Sequence, residues 1–268
     1  MERYKGFSDK RELVSIKIGG RFFQNREMLK CFADEIKALE NRYVFFIIHG
    51  GGNEVTELSK RLGMEPVFKD GVRITSWDEM EIVEGVLAGS VNKRIVRTLR
   101  ASGVDAVGLS GADGSIFLGE TLGNVDNIET RTGRILKTNT RLLEILADEG
   151  YTPVISSTSS DLNGEALNIN ADTVAFHISK GLIVDDLIFI SDVEGIIKGG
   201  EIVPKIPVNQ IEQDISNHVI TGGMIPKVRA SVDAIESGIG KIVIGTYSQR
   251  GDLERLIEGK KGTIIAME

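Results

Sequence analysis

Three apolar runs in this chain end directly in glycine-containing turns. Leu13-Val-Ser-Ile-Lys-Ile18 meets Gly19-Gly20, Tyr43-Val-Phe-Phe-Ile-Ile48 meets His49-Gly-Gly-Gly52, and Asp186-Leu-Ile-Phe-Ile190 meets Ser191-Asp-Val-Glu-Gly195. Strands this apolar are covered on both faces, which is the situation of a parallel sheet between two helical layers. Helical spacing separates them, over Met28 to Leu39, Glu79 to Leu99, Leu142 to Glu149 and Asp172 to Lys180, and recurs after them over Lys227 to Ser237. Further strand-like stretches are Asp105 to Leu109, Thr152 to Ser156, Lys241 to Gly245 and Gly262 to Ala266. The alternation predicts an α/β fold with a doubly wound, mainly parallel sheet in three α/β/α layers. Ser115 to Lys137 is polar and dotted with glycine, and reads as a hairpin or lid.

Composition narrows the function. The 268 residues are 41% hydrophobic and carry a net charge of −7, enough for one large α/β unit or two modest lobes. Lys93, Arg94, Arg97 and Arg100 share one helix face, which reads as a solvated surface, so no nucleic-acid partner is expected. Cys31 is the single cysteine and excludes a disulfide within the chain. Met1 to Lys10 is polar, unlike a signal peptide, and no apolar run approaches the ~20 residues that cross a bilayer. The expectation is a cytoplasmic protein without a membrane partner.

Glycine turns at the carboxyl ends of parallel strands are where open α/β sheets bind ligands. There the backbone N–H groups can approach an anion, and the following helix adds its dipole. Three such turns in one sheet point to a site for phosphates and other oxyanions. The chain lacks G-x-x-x-x-G-K-[ST] and has no G-x-G-x-x-G after a strand, which argues against Walker-type and dinucleotide-binding sites. The His49 turn is like the oxyanion turn of lipases, but Gly108-Leu-Ser-Gly111 is not a nucleophile elbow. His49, His177 and His218 have no metal-ligand spacing, so no protein-held metal is expected.

Eight pieces occur in an order that resembles the amino acid kinase family, and within it the N-acetylglutamate kinases. They are Lys17-Ile-Gly-Gly20, His49-Gly-Gly-Gly52, Gly71-Val-Arg-Ile-Thr75, Leu87-Ala-Gly-Ser-Val-Asn-Lys93, Ala106-Val-Gly-Leu109 with Asp113-Gly114, Asn168-Ile-Asn-Ala-Asp172, Ser191-Asp-Val-Glu-Gly-Ile196 and Gly222-Gly-Met-Ile-Pro-Lys227. The resemblance implies transfer of the ATP γ-phosphoryl group to the side-chain carboxylate of N-acetyl-L-glutamate, for arginine biosynthesis. In this reading Lys17 and Lys227 stabilise the transferring phosphoryl group, and Asp172 sits between the two ammonium groups. Gly51, Gly52, Arg73, Asn168 and Asn170 bind the acyl amino acid, with Arg73 on its remote carboxylate. Gly19, Gly20, Asp192, Val193, Glu194, Gly195, Ile196, Ile197, Val219, Ile220 and Thr221 hold the nucleotide. Mg²⁺ arrives with ATP, held mainly by its phosphates. Residues 1–268 form one domain, with an acyl-amino-acid-binding and dimerisation lobe over 1–178 and a nucleotide-binding lobe over 179–268.

Taken singly, Arg73 and Lys227 read as surface charges, and only the motifs give them roles. Lys17 speaks for itself more clearly, because a lysine within an apolar strand is costly unless paired or solvated. Asp172, just after Asn168 and Asn170, stands where a helix cap is common and could cap and function together, and His49 reads as shaping its turn. The match thins over Gly119 to Lys137, where relatives carry Gly-x-Val-Gly and this chain has Gly123-Asn-Val-Asp126. That keeps two alternatives open: a carrier-linked aminoadipate or glutamate kinase, and a non-catalytic regulatory module. Arginine-inhibited members carry a longer helix before the first strand. The short polar lead to Leu13 therefore implies an arginine-insensitive homodimer.

Overall fold

The computed structural model describes residues 11–19, 22, 25–69 and 71–267. Gly20 lies outside these residues, as does most of the polar lead, 1–10, on which the arginine expectation rests.

The first half of the chain runs β1 (Glu12–Ile18), α1 (Arg26–Leu39), β2 (Tyr43–His49), α2 (Gly52–Arg61), β3 (Val67–Lys69), β4 (Val72–Ile74) and α3 (Trp77–Glu84). A π-helical segment (Gly85–Val91) leads into α4 (Asn92–Ala101) and β5 (Ala106–Leu109). Then come β6 (Phe117–Thr121), β7 (Asn124–Val125), β8 (Ile128–Glu129), β9 (Thr132–Thr138), α5 (Arg141–Asp148), β10 (Thr152–Ser156), β11 (Thr158–Ser160) and β12 (Ala166–Ile169). The rest is α6 (Ala171–Leu182), β13 (Asp186–Ile190), β14 (Ile197–Lys198), β15 (Glu201–Ile202), β16 (Lys205–Pro207), α7 (Ile211–Ser216), α8 (Met224–Glu236), β17 (Lys241–Gly245), α9 (Asp252–Ile257) and β18 (Thr263–Ala266).

Eight strands form the central sheet in the order β16-β18-β17-β13-β1-β2-β10-β5. The pair β17–β18 is antiparallel and the other neighbours are parallel. Leu29, Phe32, Val83, Ile95 and Leu256 pack one face with α1, α3, α4 and α9, while Leu143, Val174, Ile178, Ile211 and Val228 pack the other with α5 to α8. The fold class is therefore as the apolar strands predict. The strand order also divides the chain: β5, β10, β2 and β1 on one side, and β13, β17, β18 and β16 on the other. The chain reverses direction across the sheet between β1 and β13, the place where such sheets open a crevice.

One feature departs from the sequence reading, and another goes beyond it. The single helix expected from Glu79 to Leu99 is interrupted by the π-helical segment at Gly85–Val91. An inserted residue in one helical turn is invisible to a periodicity reading, yet it changes which side chains face inward. The polar middle stretch is a hairpin, β6 with β9, and its tip β7–β8 turns through Asp126 (φ 49°) and Asn127 (φ 64°). That is the left-handed geometry of a tight two-residue turn, which Asp and Asn tolerate. The hairpin also joins β11 and β12 in a small closed barrel, β11-β12-β9-β6. Thr158-Ser-Ser160 has little apolar content from which to predict a strand; closure satisfies its edges instead.

Candidate active site

Strand register assembles the site. Ile18 stands level with His49 on one side and Ile190 on the other; His49 is level with Ser156, and Ile190 with Gly245. The turns after β1, β2 and β13 therefore emerge at one height, beside the N-termini of α2 and α6. A cavity of about 240 Å³ opens there, lined by Lys17, Gly19, Gly51, Gly52, Arg73, Asn168, Asn170 and Asp172.

At one end, Asp172 lies between two lysines. Its Oδ1 is 2.9 Å from Lys17 Nζ and its Oδ2 is 2.9 Å from Lys227 Nζ. Lys17 shares a sheet face with Leu13 and reaches α6 at the carboxyl end of β1, while Lys227 descends from α8. Burial alone would raise the Asp172 carboxyl, but the charges and hydrogen bonds of Lys17 and Lys227 outweigh it and hold the group below its ordinary value. The helix cap falls to Asn170, whose Oδ1 accepts from the N–H groups of Asp172 (2.8 Å) and Thr173 (3.3 Å). Asp172 is thereby left to its lysines. The side-chain oxygen of Asn170, expected at the substrate, is engaged in capping.

The His49 turn is held from beneath. His49 is fully buried; its Nδ1–H donates to the Gly50 carbonyl (2.8 Å), and its Nε2 accepts from Asn92 Nδ2 (3.0 Å). This pattern makes the ring neutral, and burial lowers its pKa to about 4. Asn92, the first residue beyond the π-helical segment, also donates to the Val154 carbonyl at 2.9 Å. The same segment presses Leu87 on Gly51, where a Cβ would stand 2.8 Å from Leu87 Cδ2. Only glycine allows that approach. Gly51 precedes α2 with no side-chain cap on the helix, which leaves first-turn N–H groups for an anion.

At the other end, Arg73 is buried. It donates to Glu79 Oε1 (2.6 Å), to the Gly52 carbonyl (3.1 Å) and to Thr56 Oγ1, and stacks 4.8 Å from the Phe68 ring centroid. It is not the surface charge it reads as singly: the Glu79 carboxylate, with Ser59 Oγ donating to it at 3.0 Å, offsets its burial. Asn168 Nδ2 donates to Thr75 Oγ1 at 2.9 Å. Thr132, from the hairpin, lines the cavity and donates to the Arg73 carbonyl at 2.6 Å. Thr132, Ser157 and Phe68, which also line the cavity, were missed in sequence, and Leu87 appeared only as the first residue of a motif with no site role.

The remaining expected residues sit apart from this cavity. Asp192, Val193, Glu194 and Gly195 belong to the loop after β13, and Ile197 opens β14. Ile196 is buried and its N–H donates to Thr263 Oγ1 (2.8 Å). Glu194 lines a second cavity of about 320 Å³ with Pro204, Lys261 and Gly262. Val219 and Ile220 both donate their N–H groups to the Asp214 carbonyl, and Thr221 precedes α8, which carries Lys227. The N–H groups of Ile196, Val219 and Ile220 are thus committed within the protein. Among the described residues no cluster of three or more His, Cys, Asp or Glu could hold a metal ion, and no helix is long and apolar enough to cross a membrane.

The sequence profile of the amino acid kinase family matches residues 12–246. The chain belongs to the amino acid kinase family. It is 39% identical over 230 residues to an acetylglutamate kinase of Kosmotoga olearia, covering 85% of this chain and 81% of the relative. An acetylglutamate kinase of Methanopyrus kandleri is 34% identical over 258 residues, 93% of this chain and 98% of that protein. Among solved structures, a Streptococcus mutans UA159 protein, smu.665, superposes with a TM-score of 0.78 at 27% identity, covering 96% and 99% of the two chains. The relatives named acetylglutamate kinase mark this chain as a phosphotransferase, and two of its ammonium groups, Lys17 and Lys227, meet Asp172 beside the cavity.

Proposed function

We propose that this protein transfers the γ-phosphoryl group of ATP to the side-chain carboxylate of N-acetyl-L-glutamate, giving N-acetyl-L-glutamyl 5-phosphate for arginine biosynthesis. The observation that carries the proposal is the Lys17–Asp172–Lys227 clasp beside a cavity edged by glycine N–H groups, with Arg73 at its far end. The relatives named acetylglutamate kinase support the choice of acceptor.

The chemistry requires positioning and charge more than proton transfer. A side-chain carboxylate is already ionised at neutral pH (pKa about 4), so its oxygen can attack the γ-phosphorus without a general base. The bond from phosphorus to the β,γ-bridging oxygen breaks, and ADP leaves with that electron pair. Negative charge spreads over the equatorial oxygens of the transferring group, and the ammonium groups of Lys17 and Lys227 stabilise it. Gly19, Gly51 and Gly52 supply N–H donors, and Gly20 does so in the family reading. His49, neutral and bonded at both nitrogens, acts by holding the turn.

Arg73 would bind the remote carboxylate of the acceptor, and Asn168, with the amide of Asn170, its acylamino portion. The Asp192–Ile197 loop and Val219–Thr221 would hold the nucleotide, chiefly through side chains and carbonyls where the N–H groups are committed. Mg²⁺ would ride on the ATP phosphates and neutralise their charge, since both oxygens of Asp172 already face ammonium groups. The reading includes an acyl-amino-acid lobe over 1–178, a nucleotide lobe over 179–268, a cytoplasmic location and a homodimer. The dimer is checked by light scattering.

The test is hydroxylamine trapping of acyl phosphate in the presence of ATP, with N-acetyl-L-glutamate, L-glutamate or N-acetyl-L-aminoadipate as acceptor. Hydroxamate with N-acetyl-L-glutamate alone is expected. Equal or better turnover with another acceptor would overturn the substrate assignment, and no product with any would overturn the kinase reading.

A further inference from the structure

Asp172 carries one negative charge and faces two ammonium groups, each at 2.9 Å. Among the described residues no other carboxylate pairs with them, so the cations are only half compensated and repel each other. A second, uncharged group faces Lys227: the ring of Phe189, with Nζ 4.8 Å from the ring centroid. Phe189 is fully buried in β13, level with Lys17 of the neighbouring β1. Its ring packs 4.9 Å from that of Phe176 on α6, the helix that also carries Asp172. The ring plane beneath the ammonium is thus set by the same helix that supplies the carboxylate.

We propose that Phe189 is a positioning residue for Lys227, holding the ammonium by its π face beside Asp172 while leaving the positive charge uncancelled. The proposal rests on the phosphoryl-transfer role of Lys227 given above. A second carboxylate here would anchor the lysine more strongly, but it would neutralise the potential that the transferring phosphoryl group needs. An aliphatic side chain would fill the volume and leave the cation to Asp172 alone. An aromatic face attracts a cation within about 6 Å and contributes no net counter-charge. Lys227 is then preorganised before ATP arrives, which is where electrostatic catalysis gains most.

Phe189→Leu would mix lost packing with lost attraction. The decisive series replaces Phe189 in the full-length protein with 4-fluoro-, 3,5-difluoro- and 3,4,5-trifluorophenylalanine. Each fluorine withdraws charge from the ring face and adds little volume. The expected result is a stepwise fall in kcat, about three- to tenfold across the series, with Tm and the KM for the acceptor little changed. A kcat independent of fluorine number, or one that only tracks Tm, overturns the proposal. The acceptor is whichever carboxylate the wild-type protein phosphorylates, so a change of acceptor overturns the substrate assignment alone and the slope still decides. If the wild type phosphorylates none, the kinase reading fails, and the ¹⁹F resonance of the 4-fluoro variant decides the contact. A shift on Lys227→Met supports it, and an unmoved resonance overturns it.

Discussion

Gly19 lies directly beneath the ammonium group of Lys17: a Cβ on Gly19 would stand 2.5 Å from Lys17 Nζ. The nearest atom is the end of a flexible side chain, so Gly19→Ala should leave the fold within about 1 kcal/mol of wild type. The displaced ammonium, however, would lose its place on Asp172. We expect kcat to fall at least about tenfold, since ångström-scale misplacement is costly in a site that works by positioning. Steady-state kinetics with a denaturation curve would check both halves; undiminished kcat would show that the close approach does not matter.

Lys17→Ala and Lys227→Ala should each lower kcat by about 10²–10³, the usual cost of removing one group that stabilises developing charge. Stability should change far less, because both side chains are partly solvated at the cavity edge. Near wild-type turnover in either variant would remove the assigned roles.

Arg73 calls for a gentler substitution. Arg73→Ala would leave Glu79 buried without its partner, which costs about 3–5 kcal/mol and would confuse folding with binding. Arg73→Lys keeps the charge and loses the planar fork. The KM for N-acetyl-L-glutamate should rise about tenfold or more with kcat less affected, as measured by varying the acceptor at saturating ATP. An unchanged KM would place the remote carboxylate elsewhere.

Two buried groups should pull stability in opposite directions with pH. Burial lowers the folded-state pKa of His49 from 6.5 to about 4, so its contribution is full above pH 6.5 and is lost as pH falls towards 4. Burial raises Asp186 from 3.8 to about 6 against the opposing charge of Lys241, so its contribution is present at low pH and lost as pH rises through 6. Urea unfolding at pH 4.5 and pH 7.5 separates them. Relative to wild type, His49→Gln should fare better at the acid pH and Asp186→Asn at the neutral pH, by on the order of 1–3 kcal/mol in each case. Parallel stability curves for wild type and variant would contradict the shift in question.

The central sheet was legible because its strands are too apolar for anything but a doubly covered position, and the glycine turns marked their carboxyl ends. Lys17 announced itself as a cation where an apolar strand could not tolerate one unpaired. The closed barrel was not legible: its strands are short and rich in Ser and Thr, and they are strands only because closure satisfies their edges. The π-helical segment escaped for a related reason. One inserted residue leaves the apolar spacing almost intact, while it turns Leu87 onto Gly51 and Asn92 onto His49.

By itself the sequence determined the layered α/β architecture, and it pointed to glycine turns suited to oxyanions and to which lysines and carboxylate to suspect. These follow from local pattern, because periodicity and glycine placement act over a few residues. Only the tertiary structure decided the partners. Asp172 divides its oxygens between Lys17 and Lys227, Asn170 takes the cap, Glu79 holds Arg73, and Phe189 lies under Lys227. Most of these contacts join residues far apart in the chain. The parallel register of β1 with β13, and the packing of α6 and α8 on one sheet face, bring them together, and a sequence read one segment at a time carries no record of that register.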